Sequence, residues 1–424
     1  MLQLFEKMER KLKMSELKEK KYFTDEYYEV LKKIKGQANE KKSNYKTFRE
    51  SDGDARYQSI AVEITQENSC QLSCKWCYIN QTNRKIINHP VSFEAIKDII
   101  DRIEAYNHEN HVKLFSNIVL IGGEPTLNKD LEKMIDYAIQ NDLTPMVVTN
   151  ALKFSDKAYA ESICKEGVVV IFHLPFMKEN EKYDVVLDEY CKAPGYSKKL
   201  RKSIKNMIEI REKVKDLKLI GEIVLNKATV DYVYESYVYC RENNIEPYFE
   251  FMRIADEDNL NDDIKLPQKA LIAFSEKVYQ YDLEHGFVEK DNIVAKVRYF
   301  LPPAVNKPCT IIQNSIHIKF TKEGFGNVVS CSGQDIVHGN IVTDSLEKII
   351  NDKENNPIFS KQEEFIKGPC SICGLYFITG CQGGCRGNSK NTYDCPEASD
   401  PQCIFIRDEV KKDAALMCMR LEQE

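Results

Sequence analysis

The sequence of 424 residues has little of what marks fibrous, disordered or membrane proteins. It contains only 14 prolines and 18 glycines, which excludes collagen-like and low-complexity chains. No apolar run approaches the roughly 20 residues of a membrane span, and charge interrupts every short apolar run at the N-terminus, which excludes a signal peptide. With 42% hydrophobic residues, a chain of this length is expected to form about two to four globular domains.

An excess of basic charge is also missing. The 60 Lys and Arg residues are outnumbered by 66 Asp and Glu residues, giving a net charge of −6. This balance argues against nucleic acid as a partner, and we expect no membrane association and a cytoplasmic location. In that reducing compartment structural disulfides are disfavoured, so the 15 cysteines indicate metal binding or redox chemistry.

Short apolar runs alternate with helical segments through the middle of the chain. The candidate strands are Ser59–Thr65, Asn117–Ile121, Pro145–Thr149, Val168–Leu174, Leu219–Leu225 and Pro247–Met252, and the helices between them include Phe93–Tyr106, Leu131–Ile139, Lys198–Lys215 and Tyr232–Glu242. This alternation predicts an α/β fold with a parallel sheet, arranged as a partial, TIM-like (β/α)6 barrel. The loops after the strand C-termini are then the places to look for chemistry.

Four regions follow from these patterns: a helical N-terminal arm (1–57), the barrel (58–255), a helical linker (256–305) and a small cysteine-rich domain (306–424). In the arm, apolar residues at helical spacing predict two amphipathic helices with a break near Gly36. The arm either packs on the main domain or docks a peptide. In the C-terminal region, bound clusters would replace an extensive apolar core.

Three cysteines come directly after the first predicted strand. Cys70, Cys74 and Cys77 have C-x3-C-x2-C spacing. Three close thiolates can hold three irons of a 4Fe–4S cluster and leave the fourth iron open for substrate chemistry. A structural zinc site is the competing interpretation, but it would need a fourth ligand.

The run C-x3-C-x-aromatic-C, with Trp76 in the aromatic position, resembles the signature of radical S-adenosylmethionine (radical SAM) enzymes. The loop Gly122-Gly123-Glu124-Pro125, after the second strand, is similar to the GGEP loop of that family. The resemblance implies a 4Fe–4S cluster whose open iron binds S-adenosylmethionine, with the Glu124 carboxylate receiving the methionine ammonium. Reductive cleavage of S-adenosylmethionine then yields a 5′-deoxyadenosyl radical.

The resemblance also assigns polar residues at later strand ends. Asn150 and Asn226 would hydrogen-bond the ribose and the methionine carboxylate, and the backbone at Tyr78 would contact adenine. His173, near the end of strand four, departs from the Ser or Asp that the family often has there, so we rank it as a structural or substrate-side residue. Cys191, after strand four, could face the active site.

The C-terminal cysteines resemble the SPASM extension of the radical SAM superfamily, with a central spacer of seven residues in place of five. This extension holds two auxiliary 4Fe–4S clusters. The resemblance assigns Cys370, Cys373, Cys381 and Cys403 to an outer cluster, and Cys309, Cys331 and Cys385 to an inner one. Either Cys395 or the substrate would complete the inner cluster. A zinc ribbon, the competing interpretation, would need only four of these eight cysteines.

The resemblance to peptide-maturing members implies oxidative modification of a ribosomally made peptide or protein, by crosslinking or side-chain oxidation, with flavodoxin or ferredoxin as reductant. One alternative is a dehydrogenase or epimerase of a small molecule such as an aminosugar. Another is an iron–sulfur electron-transfer protein, which would not need the GGEP loop. The sequence leaves the substrate, the modification and the oligomeric state open.

Overall fold

The fold is built on a single nine-stranded sheet. The computed structural model describes residues 22–40, 55–64, 70–77, 91–174, 177–254, 266–307, 309, 311–321, 324–333, 336–356 and 365–421. The strands are β1 (Ala55–Glu63), β2 (Lys113–Ile121), β3 (Thr144–Thr149), β4 (Val169–His173), β5 (Lys218–Leu225), β6 (Glu246–Phe251), β7 (Ser315–Phe320), β8 (Gly326–Val329) and β9 (Val337–Asn340). Their order is β6-β5-β4-β3-β2-β1-β7-β8-β9, so the sheet is open and the predicted partial α/β barrel is confirmed.

Helices cover the outer face of this sheet and form the C-terminal region. They are α1 (Asp25–Glu40), α2 (Phe93–Asn110), α3 (Leu131–Gln140), α4 (Lys157–Ile163), α5 (Glu181–Cys191), α6 (Tyr196–Arg211), α7 (Val233–Glu242), α8 (Gln268–Glu284), α9 (Ile293–Arg298), α10 (Ile311–Asn314), α11 (Leu346–Asn355), α12 (Leu375–Ile378), α13 (Arg386–Tyr393), α14 (Asp408–Lys411) and α15 (Ala414–Met417). Within the described ranges, no helix is long and apolar enough to cross a membrane.

The barrel helices follow from their sequence pattern. In α2 the apolar residues recur three and four positions apart, so that one face packs on the sheet, and its buried residues are Ile96, Ile99, Ile100 and Ile103. Ser92 begins the helix because its hydroxyl accepts a hydrogen bond from the Ala95 amide, at 3.2 Å. All six predicted strands overlap β1 to β6, although β1 begins four residues earlier than predicted, at Ala55.

The cysteine-rich region shares the barrel's sheet. β7 pairs parallel with β1, and the Ser59 and Ser315 hydroxyls hydrogen-bond across this pairing at 2.7 Å. β8 and β9 then extend the sheet in antiparallel fashion. The start of the predicted C-terminal domain is therefore continuous with the barrel through backbone hydrogen bonds.

The N-terminal helix differs from its prediction. α1 continues through Gly36 to Glu40, so the predicted break at Gly36 is wrong. One internal glycine costs a helix about 1 kcal/mol, which packing along its apolar face can outweigh. That face, with Tyr27 and Leu31, packs together with the preceding Phe23 against Ile406 and its neighbours in the cysteine-rich region. The first predicted helix of the arm lies outside the described residues.

Candidate active site

The loop Cys70–Cys77 follows β1 at the carboxyl edge of the sheet and is held by the end of α5. The Ser73 amide donates to the Cys191 carbonyl and the Lys75 amide to the Tyr190 carbonyl, both at 3.0 Å. Trp76 is buried, and its ring stacks on that of Tyr190 at 6.0 Å between centroids. These contacts fix the backbone of the loop that carries the three cysteines.

Two of the cysteine sulfurs, those of Cys70 and Cys74, contact side chains from other parts of the barrel. Asn150, which follows β3, places its amide nitrogen 3.5 Å from Cys70 Sγ and 3.0 Å from the Gln71 side-chain oxygen. Cys191 is buried, and its sulfur lies 3.5 Å from Cys74 Sγ. Burial and the nearby Glu124 carboxylate raise the pKa of Cys70 to about 12. The structure thus brings Asn150 to the cysteine loop.

Glu124, in the loop after β2, links this loop to the end of β3 by hydrogen bonds. Its buried carboxylate accepts hydrogen bonds from the Thr149 hydroxyl at 2.6 Å, the Asn150 amide at 2.7 Å and the Thr126 amide at 3.0 Å. Burial raises the pKa of Glu124, whereas these donors favour its charged form.

The rest of the GGEP loop makes the turn that places this carboxylate. Gly122, two residues before Glu124, has a φ of 144°, which is a backbone conformation that residues with a side chain rarely adopt. Gly123 continues the bend, and Pro125 begins the short 3₁₀ turn Pro125–Leu127. The loop therefore returns the chain across the end of β3.

The other two predicted cofactor contacts fare differently. Asn226 is fully buried after β5, and its side chain is used locally: the oxygen accepts from the Ala228 amide at 2.9 Å, and the nitrogen donates to the Val224 carbonyl at 3.0 Å. It shapes the loop in this structure. Tyr78 lies outside the described residues.

His173, at the end of β4, keeps one ring nitrogen without a partner. The Tyr196 hydroxyl donates to the Asn150 carbonyl at 3.2 Å, so it accepts from His173 Nδ1 at 2.9 Å. Nε2 is then a hydrogen-bond acceptor, and it is buried with no partner among the described residues. Burial lowers the pKa of His173 to about 4, which keeps the ring neutral.

The donor set of this site fits an iron–sulfur cluster with a polar ligand beside it. Three thiols share one loop, and the Glu124 carboxylate is buried nearby. The Nε2 atom of His173 is buried without a hydrogen-bond donor among the described residues. Among the described residues, no three His, Cys, Asp or Glu side chains are grouped closely enough to hold a single metal ion. In a 4Fe–4S cluster each thiolate binds a different iron, so its ligands need not converge on one point.

The structure brings together the four cysteines assigned to the outer cluster. Burial raises the pKa of the Cys370, Cys373 and Cys403 thiols, and each is raised further by cysteines of the same set, including Cys381. Cys370 lies in the 3₁₀ turn Pro369–Ile372, and Cys373 follows directly after this turn, before α12 begins.

The three cysteines assigned to the inner cluster line one cavity of about 50 Å³ at the end of β6. They are Cys309, Cys331 and Cys385. Gly384 is required beside them, since its φ is 74° and an added Cβ would lie 2.6 Å from Asp400. Asp400 in turn accepts a hydrogen bond from the Cys385 amide at 2.6 Å.

Cys395 is not placed with this inner set. Its sulfur lies 3.4 Å from a Glu397 carboxylate oxygen and 3.8 Å from the Lys367 ammonium nitrogen, and it contacts Cys418. The side chains that share the inner cavity with the three cysteines come from the barrel instead, among them Tyr248, Glu250 and Arg253.

A row of polar side chains inside the barrel was not predicted. His173 in β4 pairs in register with Glu222 in β5, which pairs with Tyr248 in β6, so the three lie side by side on one face. The row begins beside Trp76 of the cysteine loop, 5.7 Å from the His173 ring, and ends at the inner cavity. Burial and the Glu250 charge raise the pKa of Glu222 to about 8. The sequence contained a signal for this row, because Glu222 is a charged residue within the apolar run Leu219–Leu225.

Residues 67–247 match the sequence model of the Radical SAM superfamily. The chain therefore carries a radical SAM domain, as its motifs predicted, and this domain implies a 4Fe–4S cluster and S-adenosylmethionine. The chain is 22% identical over 370 residues to the radical SAM cyclopropyl synthase TigE of Paramaledivibacter caminithermalis, covering 79% of this chain and 70% of TigE. It is 35% identical over 127 residues to an uncharacterised protein of Methanocaldococcus jannaschii, covering 29% of this chain but only 40% of that protein.

Two solved structures share the fold. SuiB of Streptococcus suis bound to the precursor peptide SuiA is similar with a TM-score of 0.56 and 16% identity, covering 89% of this chain and 79% of SuiB. anSMEcpe with bound AdoMet and the Cp18Cys peptide is similar with a TM-score of 0.58 and 17% identity, covering 85% of this chain and 97% of anSMEcpe. Both likenesses extend beyond the radical SAM domain.

Proposed function

We propose that this radical SAM enzyme oxidatively modifies a ribosomally made peptide or protein and that it carries two auxiliary 4Fe–4S clusters. The observation that carries the proposal is the row His173–Glu222–Tyr248, which leads from the cysteine loop to the cavity lined by Cys309, Cys331 and Cys385. A substrate lying along this row would reach both cysteine sites at once. The peptides bound to SuiB and anSMEcpe, which share the fold, support a peptide as the substrate.

The residues of the first site divide between cluster and cofactor. Cys70, Cys74 and Cys77 would hold the 4Fe–4S cluster, and the GGEP loop with Glu124 and Asn150 would hold S-adenosylmethionine. Together these groups supply a 5′-deoxyadenosyl radical that can take a hydrogen atom from an unactivated carbon. In the protein, Glu124 is held ready by three hydrogen-bond donors, and His173 offers a neutral acceptor.

The C-terminal cysteines would hold the two auxiliary clusters. Cys370, Cys373, Cys381 and Cys403 supply four ligands for the outer one. Cys309, Cys331 and Cys385 supply three for the inner one, which would serve as an electron acceptor. Because the structure places Cys395 with Cys418, we favour the substrate, rather than Cys395, at the remaining position.

Oxidation by two electrons removes one hydrogen atom, one electron and one proton from the substrate. We assign the proton to Glu222, because it lies in the middle of the row and because burial and the Glu250 charge raise its pKa to about 8. A proton acceptor works best when its pKa is near the working pH.

The substrate is tested with the anaerobically reconstituted full chain, S-adenosylmethionine and dithionite, flavodoxin or ferredoxin. Synthetic peptides encoded by short open reading frames beside the gene are the candidates. We expect a cognate peptide to increase 5′-deoxyadenosine formation and to lose two hydrogens per modification, measured by mass spectrometry. Stimulation by aminosugars or polyols, with no response to any peptide, would favour the small-molecule alternative.

The auxiliary clusters are tested with Cys385→Ala and its matched control Cys395→Ala. Three 4Fe–4S clusters give about twelve irons per chain. We expect Cys385→Ala to lose about four irons and all product while still cleaving S-adenosylmethionine, and Cys395→Ala to keep its iron. A folded Cys385→Ala protein that lacks the inner cluster and makes normal product would exclude the redox role.

A further inference from the structure

The N-terminal helix α1 is built into the outer cysteine site. Tyr27 is fully buried there, although it lies far from this region in the sequence. Its ring stacks on Phe23 at 4.0 Å between centroids and meets Phe405 edge-on at 6.3 Å. Tyr27 and Cys381 belong to one hydrophobic core, and Cys373 and Cys403 pack against that core, so α1 and three of the four outer cysteines share it.

The Tyr27 hydroxyl is oriented by its neighbours. It accepts a hydrogen bond from the Gly374 amide at 2.8 Å, so its own proton is left to donate elsewhere. Cys373, the residue next to Gly374, shares a side-chain hydrogen bond with Tyr27, and this contact opposes the rise in the Cys373 pKa that burial causes. A phenol therefore donates to an outer-site sulfur.

The backbone before α1 is fixed against the segment after another outer cysteine. The Thr24 amide donates to the Phe405 carbonyl at 2.9 Å, and the Arg407 amide donates to the Tyr22 carbonyl at 3.1 Å. Phe23 and Ile406 form an antiparallel bridge. Cys403 lies two residues before Phe405, so this pairing ties the arm to the segment that follows the outer site.

We propose that Tyr27 is a positioning residue of the outer iron–sulfur site: its hydroxyl hydrogen-bonds the Cys373 thiolate and raises the reduction potential of the cluster, while α1 excludes water. The inference rests on the auxiliary clusters of the proposed function. A donor to a ligating sulfur stabilises the more negative, reduced cluster, and solvent exposure is among the other quantities that set the potential. The arm is thereby part of a redox site.

The test is Tyr27→Phe, which removes the hydroxyl and keeps the ring. The potentials of all clusters are measured by redox titration followed by electron paramagnetic resonance. We expect the iron content to stay at the wild-type level and one cluster, identified by its loss in Cys373→Ala, to shift to a lower potential. Tyr28→Phe is the matched control on the same helix and should shift none.

Three clusters with unchanged potentials in Tyr27→Phe would overturn the inference. If Tyr27→Phe loses iron, the second variant is fluorotyrosine at position 27, which keeps the shape of the ring and makes its hydroxyl a stronger donor. This variant should raise the potential of the same cluster. An unchanged potential there would also overturn the inference. These measurements need no substrate. A wild-type chain with about four irons would refute the auxiliary clusters themselves, whereas three clusters without peptide modification would refute only the proposed reaction.

Discussion

At the scale of single residues, Glu222 is the side chain whose surroundings least suit its charge. It lies on the lumen side of β5, in register with His173 and Tyr248, and Glu250 on β6 adds a second carboxylate nearby. Arg253 lies 3.7 Å from Glu250 and opposes this effect only in part. A carboxyl kept in such a place costs stability, which natural proteins accept mainly at functional sites.

Glu222→Gln should make the protein more stable and less active. The folded-state pKa of Glu222, about 8, lies above the ordinary glutamate value of 4.5, so the folded state binds the extra proton between these values. Stability therefore falls as the pH rises through this window, and the neutral amide removes the loss. We expect a gain on the order of 2 kcal/mol at pH 8, none at pH 4, and at least tenfold less product, from thermal melts and turnover assays.

The control is Glu246→Gln, at the exposed start of the neighbouring strand, where the carboxylate pairs with Lys307. Its melting temperature should stay close to that of wild type at each pH, since exposed ion pairs contribute about 0–1 kcal/mol. If Glu222→Gln melted like wild type at pH 8 and kept full activity, neither the buried charge nor the proton-acceptor role would stand.

At the scale of elements, α5 acts as the support of the cysteine loop. Its last residues supply the carbonyls that hold Ser73 and Lys75. α5 is itself fixed to α6 by Arg201, whose two guanidinium nitrogens each lie 2.6 Å from an Asp184 carboxylate oxygen. Both side chains are largely buried, at 7% and 15% exposed, so this pair is a firm connection between the helices.

Arg201→Ala should therefore damage the first cluster site from a distance. Removing one partner of a buried pair costs about 3–5 kcal/mol, because the other charge stays buried. We expect less S-adenosylmethionine-responsive cluster and slower 5′-deoxyadenosine formation, with the C-terminal clusters retained, measured by electron paramagnetic resonance and iron analysis. Arg56→Ala, which breaks an ion pair that is 40% exposed on both sides, is the control and should keep its iron. Full cluster content in Arg201→Ala would show that α5 is held by other contacts.

At the scale of the whole molecule, the barrel depends on the region that follows it. β1 carries the cysteine loop and pairs with β2 on one side and β7 on the other. Ile60 and Val62 of β1 are fully buried, so the loss of β7 would expose an apolar strand edge.

A chain that ends at residue 306 should therefore aggregate, whereas one that ends at residue 356 and keeps β7, β8, β9 and α11 should be more soluble. Both lack the partner surface of α1, so that loss is common to the two. Soluble yield and size-exclusion chromatography provide the comparison. A monomeric, folded 306-residue chain would show that β1 does not need β7.

The sequence predicted the strands of the barrel because each is a short apolar run, whereas the two cysteine sites stay predictions that rest on the specific spacing of the cysteines. β7 was not predicted as a member of the barrel sheet, because its pattern does not show that both of its faces are covered. His317 and Lys319 alternate with apolar residues, a pattern typical of a strand with one face in water, yet both point into protein. His317 bonds Glu63 at 2.9 Å, and Lys319 donates to the Ser332 carbonyl at 2.9 Å. Tyr27 was missed because its partners are distant in the sequence.

The docking of the N-terminal arm also sets an order of events during synthesis. The Arg407 guanidinium donates to the Phe23 carbonyl across 384 positions, and the β1–β7 hydroxyl pair spans 256. Contacts of such long sequence separation form late, because the ribosome releases the C-terminal partner last. The outer site is consequently completed only after the segment around Arg407 has been synthesised, and α1 waits for this partner while the whole barrel is made.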